Sequence, residues 1–202
     1  MTAKRALDII ITMIFLLIAT PFTAITALSV LIILGPPVFF PMKRPGLHGK
    51  PFILYKLRTM TNTFYKQRNS LLDSDRLSKF GRVLRSLSLD ELPELINVMK
   101  GEMSLVGPRP LLMEYLNRYT PEQMRRHEVK PGITGWAQIN GRNAISWEDK
   151  FKLDVWYVDH RSFWLDIRIL ALTLWKTIKR EGIRQPGHAT MEEFLGLDKK
   201  RN

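Results

Sequence analysis

The chain contains no cysteine, which excludes disulfides, thiolate metal sites and cysteine nucleophiles and fits a reducing compartment. Acidic residues are scarce, with 19 Asp plus Glu against 31 Lys plus Arg and a formal net charge of +12. Histidine is scarcer still: His48, His127, His160 and His188 are scattered without i,i+4 pairing, so any metal is expected on oxygen ligands rather than imidazole. The positive charge comes without zinc-finger spacing, a ribonucleoprotein signature or a helix-turn-helix pattern, and nucleic acid is not expected as a partner.

The most informative absence is local. From Ile9 to Met42, 34 residues pass without one Asp, Glu, Lys, Arg or His. A spanning helix needs about 20 apolar residues, so this run is long for one straight span and short for two with a turn between them. Thr20-Pro21 falls near its middle. Proline removes an internal hydrogen bond, and a neighbouring hydroxyl can satisfy a freed carbonyl, so a kink is expected there. Lys4 and Arg5 precede the run and Lys43 and Arg44 follow it. Equal basic flanks favour both ends on the cytosolic face, hence a re-entrant helix in one leaflet over a simple span or a cleaved signal. The expected organisation is an anchor over 1–42 and one compact domain over 43–202, with few charges ahead of Lys43 and a basic surface suited to anionic headgroups and phosphorylated substrates.

Within that domain, Ile53 to Leu57 alternates at period two and predicts a short strand carrying Lys56 and Arg58. Leu77, Phe80, Leu84 and Leu87 recur at helical spacing over 75–87, with Arg76, Lys79, Arg82 and Arg85 as a basic stripe. Two adjacent carboxylates, Asp90 and Glu91, follow. Ser88-x-x-Glu91 has capping-box spacing, and Leu92, Leu95, Ile96 and Met99 form an apolar face, which predicts a helix beginning at the pair. Pro93 suits a first turn, placing the start near Leu89 or Asp90. Two readings are open for the pair. It can complement the helix dipole, or it can supply a nucleophile and hold a divalent metal, with amides and dipole favouring the ionised form. Downstream, Pro108-Arg109-Pro110 fixes an arginine in extended chain, and 130–143 brings glycines, amides and Trp136 together in a surface loop or a ligand-handling one. Ile167, Leu170, Ala171, Leu174, Trp175 and Ile178 share one face of a helix that fits either the membrane interface or the cover of a core.

The segments Ser-Leu-Ser-Leu-Asp-Glu-Leu around Asp90, Val-Gly-Pro-Arg-Pro around Arg109 and Pro-Gly-Ile-Thr-Gly-Trp-Ala-Gln-Ile-Asn-Gly-Arg ending at Arg142 together resemble the bacterial sugar transferases known as monotopic phosphoglycosyl transferases. The resemblance covers nearly the whole chain and is to the small form typified by the enzyme for diacetylated bacillosamine. It implies a helix-rich α+β fold, with a kinked re-entrant membrane helix, one catalytic domain, amphipathic interfacial helices and few short strands. It also implies transfer of a sugar 1-phosphate from a UDP-linked N-acetylated aminosugar to undecaprenyl phosphate, with release of UMP, at the cytosolic face of the inner membrane. Asp90 would be the nucleophile. Glu91, with Asp90, would hold Mg2+, while Arg58, Arg85, Arg109 and Arg142 would grip phosphate oxygens. Thr20-Pro21 stands where the family carries a Ser-Pro kink, and Asp154 and Asp166 are further acidic positions of the resemblance. A membrane-tethered basic binding protein and a metal-dependent UDP-sugar phosphohydrolase are the competing classes.

Overall fold

The computed structural model describes residues 3–61, 77–141, 145–179 and 193–196. Arg76 of the basic stripe and the phosphate-gripping candidate Arg142 lie outside these residues.

The charge-free run forms most of α1, Ala3–Leu34. At 1.5 Å per residue its 32 residues measure about 48 Å, enough to cross a bilayer by length and composition. The helix continues through Pro21. The Thr20 hydroxyl donates to the Leu16 carbonyl at 2.6 Å, one residue before the carbonyl that proline deprives of its N–H. Much of the helix surface is bare hydrocarbon, with Leu17 81% and Ile32 73% exposed, a contiguous patch far beyond what a water-facing surface carries.

Both ends of α1 are fastened to the rest of the molecule. At its start Lys4 Nζ reaches Asp166 at 2.6 Å and the Val106 carbonyl at 3.1 Å. Arg5 donates to the carbonyls of Val98 and Met99, at 2.6 and 2.9 Å. Buried Asp8 accepts from the Ser104 hydroxyl and the Leu105 amide. At its end the Arg58 guanidinium donates to the carbonyls of Leu34, Gly35 and Pro36, satisfying acceptors that a helix C-terminus otherwise leaves open.

The helix stops at Leu34, where Gly35 turns left-handed at φ 72° and two prolines follow. Residues expected at the tail of the anchor and the start of the domain form β1, Phe39–Pro45, antiparallel to β2, Pro51–Leu57, with Met42 opposite Leu54. The predicted strand is therefore one arm of a hairpin. Ser78 caps α2, Lys79–Ser86, by accepting from the Gly81 amide. This helix starts later than its apolar spacing suggests because Leu77 bridges to Met60. A single 3-10 turn, Leu89–Glu91, leads into α3, Glu94–Lys100, which Gly101 ends in the left-handed conformation. After β3, Ser104–Val106, a 3-10 stretch over Met113–Arg118 and the short α4, Pro121–Met124, the chain returns as β4, Gly132–Thr134, parallel to β3. Three helices complete the domain: α5, Trp136–Ile139; α6, Trp147–His160; and α7, Phe163–Lys179.

The main core collects Phe52 and Leu54, Leu95 and Val98, Met103, Leu105 and Val106, Tyr157, Val158 and Ile169, with Ala19 of α1 packed in. Asn97, fully buried, pins β2 to α3: its side-chain oxygen accepts from the Tyr55 amide at 3.2 Å and its nitrogen donates to the Ile53 carbonyl at 2.6 Å. The expected apolar face of α7 is divided. Leu170 of that face packs against the core, whereas Leu174 and Trp175 stay exposed, and it is Ile169, outside the expected face, that is fully buried, so this helix both covers the core and presents an apolar surface.

The motif glycines serve backbone packing. A Cβ on Gly132 would lie 2.1 Å from the Gly107 amide nitrogen, and one on Gly135 would lie 2.2 Å from the Gly107 carbonyl oxygen. The Val-Gly-Pro-Arg-Pro and Pro-Gly-Ile-Thr-Gly segments thus touch main chain to main chain. Gly132→Ala is expected to lower the thermal midpoint of the purified protein by about 10 °C or more. Gly35→Ala, whose Cβ meets nothing within 4 Å, incurs only the left-handed backbone term of about 1–2 kcal/mol. An equal effect of the two would refute the close-packing account.

Candidate active site

The dyad sits on a strained corner. Ser88 adopts φ 55°, ψ 24°, a left-handed conformation uncommon for a residue with a Cβ. It makes no side-chain cap bond, so the predicted capping box with Glu91 does not form. Instead its amide donates to the Arg85 carbonyl and closes the end of α2. The reversal also releases Glu91 from any capping duty.

Glu91 turns to two cations. Lys56 Nζ approaches Glu91 Oε1 at 2.7 Å, and Arg109 donates to the same oxygen. These charges hold the Glu91 carboxyl well below the ordinary carboxylate range in spite of its burial. Lys56 also meets the buried Glu94 at 2.9 Å, yet desolvation pushes Glu94 up to about 7. Asp90 is buried and makes no hydrogen bond or ion pair among the described residues. Burial first, and then the Glu91 charge, raise its carboxyl above the ordinary value, against the pull of Lys56, Arg85 and Arg109. The helix dipole therefore does not dominate here as the sequence suggests. A nucleophilic role for Asp90 would require the cationic surroundings to outweigh desolvation.

Beside the dyad lies a cavity of about 290 Å³, lined among others by Arg85, Ser88, Glu91, Arg109, Gln138 and Lys150. Arg85 is oriented by its Nε, which donates to the Thr59 hydroxyl at 3.0 Å. Arg109 is held through its backbone: Arg126 donates to the Arg109 carbonyl at 2.7 Å and is itself clamped by Asp154 at 2.7 and 3.0 Å. The Gln138 side chain has both polar atoms buried without a partner at the cavity wall, a group that a bound ligand can satisfy.

The structure brings Asp90, Glu91, Arg85 and Arg109 together and separates Arg58 from them. Arg58 is 5% exposed and absorbed by the carbonyls at the end of α1, and it does not line the cavity. Its predicted grip on phosphate is corrected to a clamp on the anchor. Asp154 orients Arg126, and Asp166 accepts from Lys4 and from the Tyr157 hydroxyl at 2.7 Å. Sequence reasoning left Glu94, Arg126 and Lys150 without a role and gave Lys56 none beyond its strand. For Lys56 a signal existed: Phe52 and Leu54 are buried, and a lysine two residues on shares their inward register.

Among the described residues no three His, Asp or Glu side chains gather as a metal shell. The donor set still fits a magnesium ion held by one or two carboxylates, with phosphate and water completing its octahedron. Glu91 Oε1 already meets two cations, so Oε2 and the Asp90 carboxylate would be the protein ligands of such an ion.

A family model described as bacterial sugar transferase matches residues 1–180. The uncharacterized sugar transferase EpsL of Bacillus subtilis (strain 168) is 59% identical over 197 residues, 97% of each chain. The UDP-glucose:undecaprenyl-phosphate glucose-1-phosphate transferase of Escherichia coli (strain K12) is 39% identical over 183 residues, 86% of this chain and 39% of that one. The UDP-N-acetylgalactosamine-undecaprenyl-phosphate N-acetylgalactosaminephosphotransferase of Aeromonas hydrophila is 36% identical over 179 residues, 85% and 42% of the two. The chain spans nearly all of EpsL and about two fifths of the other two proteins.

The buried Arg126–Asp154 pair yields a prediction. Asp154→Asn strands a buried guanidinium and is expected to destabilise the fold by about 3–5 kcal/mol. The double replacement Arg126→Met with Asp154→Leu should recover stability without activity, because the Arg109 carbonyl loses its donor. Thermal unfolding and turnover measured side by side check this; full activity in the double variant would show that the pair does not position Arg109.

Proposed function

Because the chain belongs to the bacterial sugar transferase family, we propose that it is a membrane-bound phosphoglycosyl transferase. It moves a sugar 1-phosphate from a UDP-sugar to undecaprenyl phosphate and releases UMP, as the first step of a glycoconjugate pathway. The observation that carries the reading is the Asp90-Glu91 pair set against Lys56, Arg85 and Arg109 at one cavity. The named relatives with a stated donor use UDP-glucose or UDP-N-acetylgalactosamine. A UDP-linked N-acetylated aminosugar, with diacetylbacillosamine as one example, is the donor class proposed for this chain.

Asp90 attacks the phosphorus that bears the sugar, forming an acyl-phosphate bond as the bond from that phosphorus to the bridging oxygen breaks. UMP departs with the bridging oxygen. A phosphate oxygen of the polyprenyl acceptor then attacks the same phosphorus, breaks the acyl-phosphate bond and restores the carboxylate. Arg109 and Arg85 neutralise the charge spread over phosphate oxygens. Lys56 keeps Glu91 ionised. Mg2+, when bound by Glu91 and Asp90, supplies further neutralisation of the diphosphate.

The attachment of α1 supports a re-entrant, monotopic anchor on the cytosolic face. Lys4, Arg5 and Asp8 near one end and the carbonyls of Leu34 to Pro36 at the other all bond to the same folded domain. A straight crossing of a bilayer core about 30 Å thick would put those ends on opposite sides. The exposed Trp164, Leu174 and Trp175 of α7 suit the interface to which the lipid acceptor presents its phosphate.

Intact-protein mass spectrometry tests the reading. Wild type and Asp90→Asn are incubated with magnesium and, in turn, UDP-glucose, UDP-N-acetylgalactosamine and UDP-diacetylbacillosamine, without acceptor. A phosphosugar adduct is expected on wild type alone, and turnover with polyprenyl phosphate should fall about a thousandfold or more in the variant. UMP formed with acceptor but no adduct would exclude the covalent route, and steady UMP without any lipid would favour a hydrolase.

A further inference from the structure

Lys150 is a cation that the transfer chemistry above does not use. It lies in the first turns of α6 and lines the same cavity as Glu91, Arg85 and Arg109, but from a different element. Its ammonium stacks over the Trp147 ring at 4.7 Å from the centroid, which orients it. Asp154 one turn along α6, Arg109 from the Pro-Arg-Pro segment and Arg126 from the 3-10 turn after α4 act on its charge. Asp154 is already engaged by Arg126 through the close contacts described above. Among the described lining residues the cations Arg85, Arg109 and Lys150 outnumber the carboxylates Glu91 and Asp154.

A cavity with this excess suits a ligand carrying more than one negative charge, and its cations come from separate elements. Arg109 and Arg85 meet the dyad, while Lys150 belongs to α6. A diphosphate has two phosphorus centres to distribute among such cations, and the centre undergoing attack must lie beside Asp90. The other centre, bonded to the nucleoside, is then left for Lys150.

Resting on the transferase reading, we propose that Lys150 is the anchor for the nucleoside-side phosphate, binding it in the UDP-sugar and holding the UMP that departs. As the bridging bond breaks, that phosphate gains charge, and an ammonium beside it stabilises the leaving group more than the ground state. Burial, assisted by the like charges of Arg109 and Arg126 and opposed by Asp154, lowers Lys150 to about 8. The anchor should therefore weaken as pH rises through about 8, where the ammonium loses its proton, and be fully charged below.

The experiment measures binding of UMP and of uridine to the full chain in detergent by calorimetry, for wild type, Lys150→Met and Lys150→Arg, from pH 6.5 to 9.5. Uridine lacks the phosphate and so reports the pocket without the anchor. In Lys150→Met, UMP affinity is expected to fall about 10- to 100-fold, the usual loss of one charge-assisted contact, while uridine affinity holds. Lys150→Arg should restore most of it and shift the alkaline weakening of wild type beyond the range measured. An unchanged UMP-to-uridine ratio in Lys150→Met would overturn the assignment while leaving the transferase reading intact. Absence of UMP binding by wild type at every pH would overturn the nucleotide-donor reading and the assignment with it.

Discussion

Half-buried Glu91 stays ionised only because two cations share one of its oxygens, and the architecture around the cavity is arranged to deliver them. Lys56 comes from β2, whose position is fixed by the Asn97 amide through Tyr55 and Ile53. Arg109 comes from the chain after β3, whose position is fixed by main-chain contact with β4 at Gly107 and Gly132. Each two-stranded sheet thus contributes one charge to the same carboxylate. A buried ion pair of this kind adds little net stability, since desolvation offsets much of the attraction, but loss of one partner leaves a charge with nowhere to go. The result is a site fixed in geometry by the electrostatic cost of any other arrangement.

A second layer stands behind Arg109. Asp154 holds Arg126, Arg126 holds the Arg109 carbonyl, and Pro108 accepts from the Gly132 amide on the other side. The guanidinium that meets Glu91 therefore hangs from a backbone fixed at two points. The acidic positions of the family resemblance that had no assigned role find one here: Asp154 stiffens the Arg109 side of the cavity, and Asp166 receives Lys4 and so joins the start of the apolar helix to α7.

Much of this was legible in the residues. The charge-free run gave the long helix because length and composition are sufficient for that inference, and the carboxylate pair stood out because it lies among arginines. Period-two alternation located β2, although its partner β1 was hidden: Phe39 to Met42 reads as a continuation of the apolar run, and only the turn at Gly35 and the prolines after it convert that run into a strand. The capping box at Ser88 failed because the same serine was needed to finish α2, a competition between neighbouring helices that spacing alone does not reveal. Arg58 was misplaced for a related reason. The family resemblance set it among the phosphate-gripping arginines, while the helix end that absorbs it lies more than twenty residues earlier. Long-range pairs such as Arg126 with Asp154 leave no local signature at all.

Arg58 has one more implication through its place in the strand. It follows Lys56 by two residues on β2 and its extension, so one short length of backbone bonds at one point to the end of the apolar helix and at another to Glu91 and Glu94. The apolar helix and the carboxylate pair are thereby parts of a single lever with a span of two residues. Any force on that helix is applied to the same frame that sets the distance between a lysine and the acid it keeps charged.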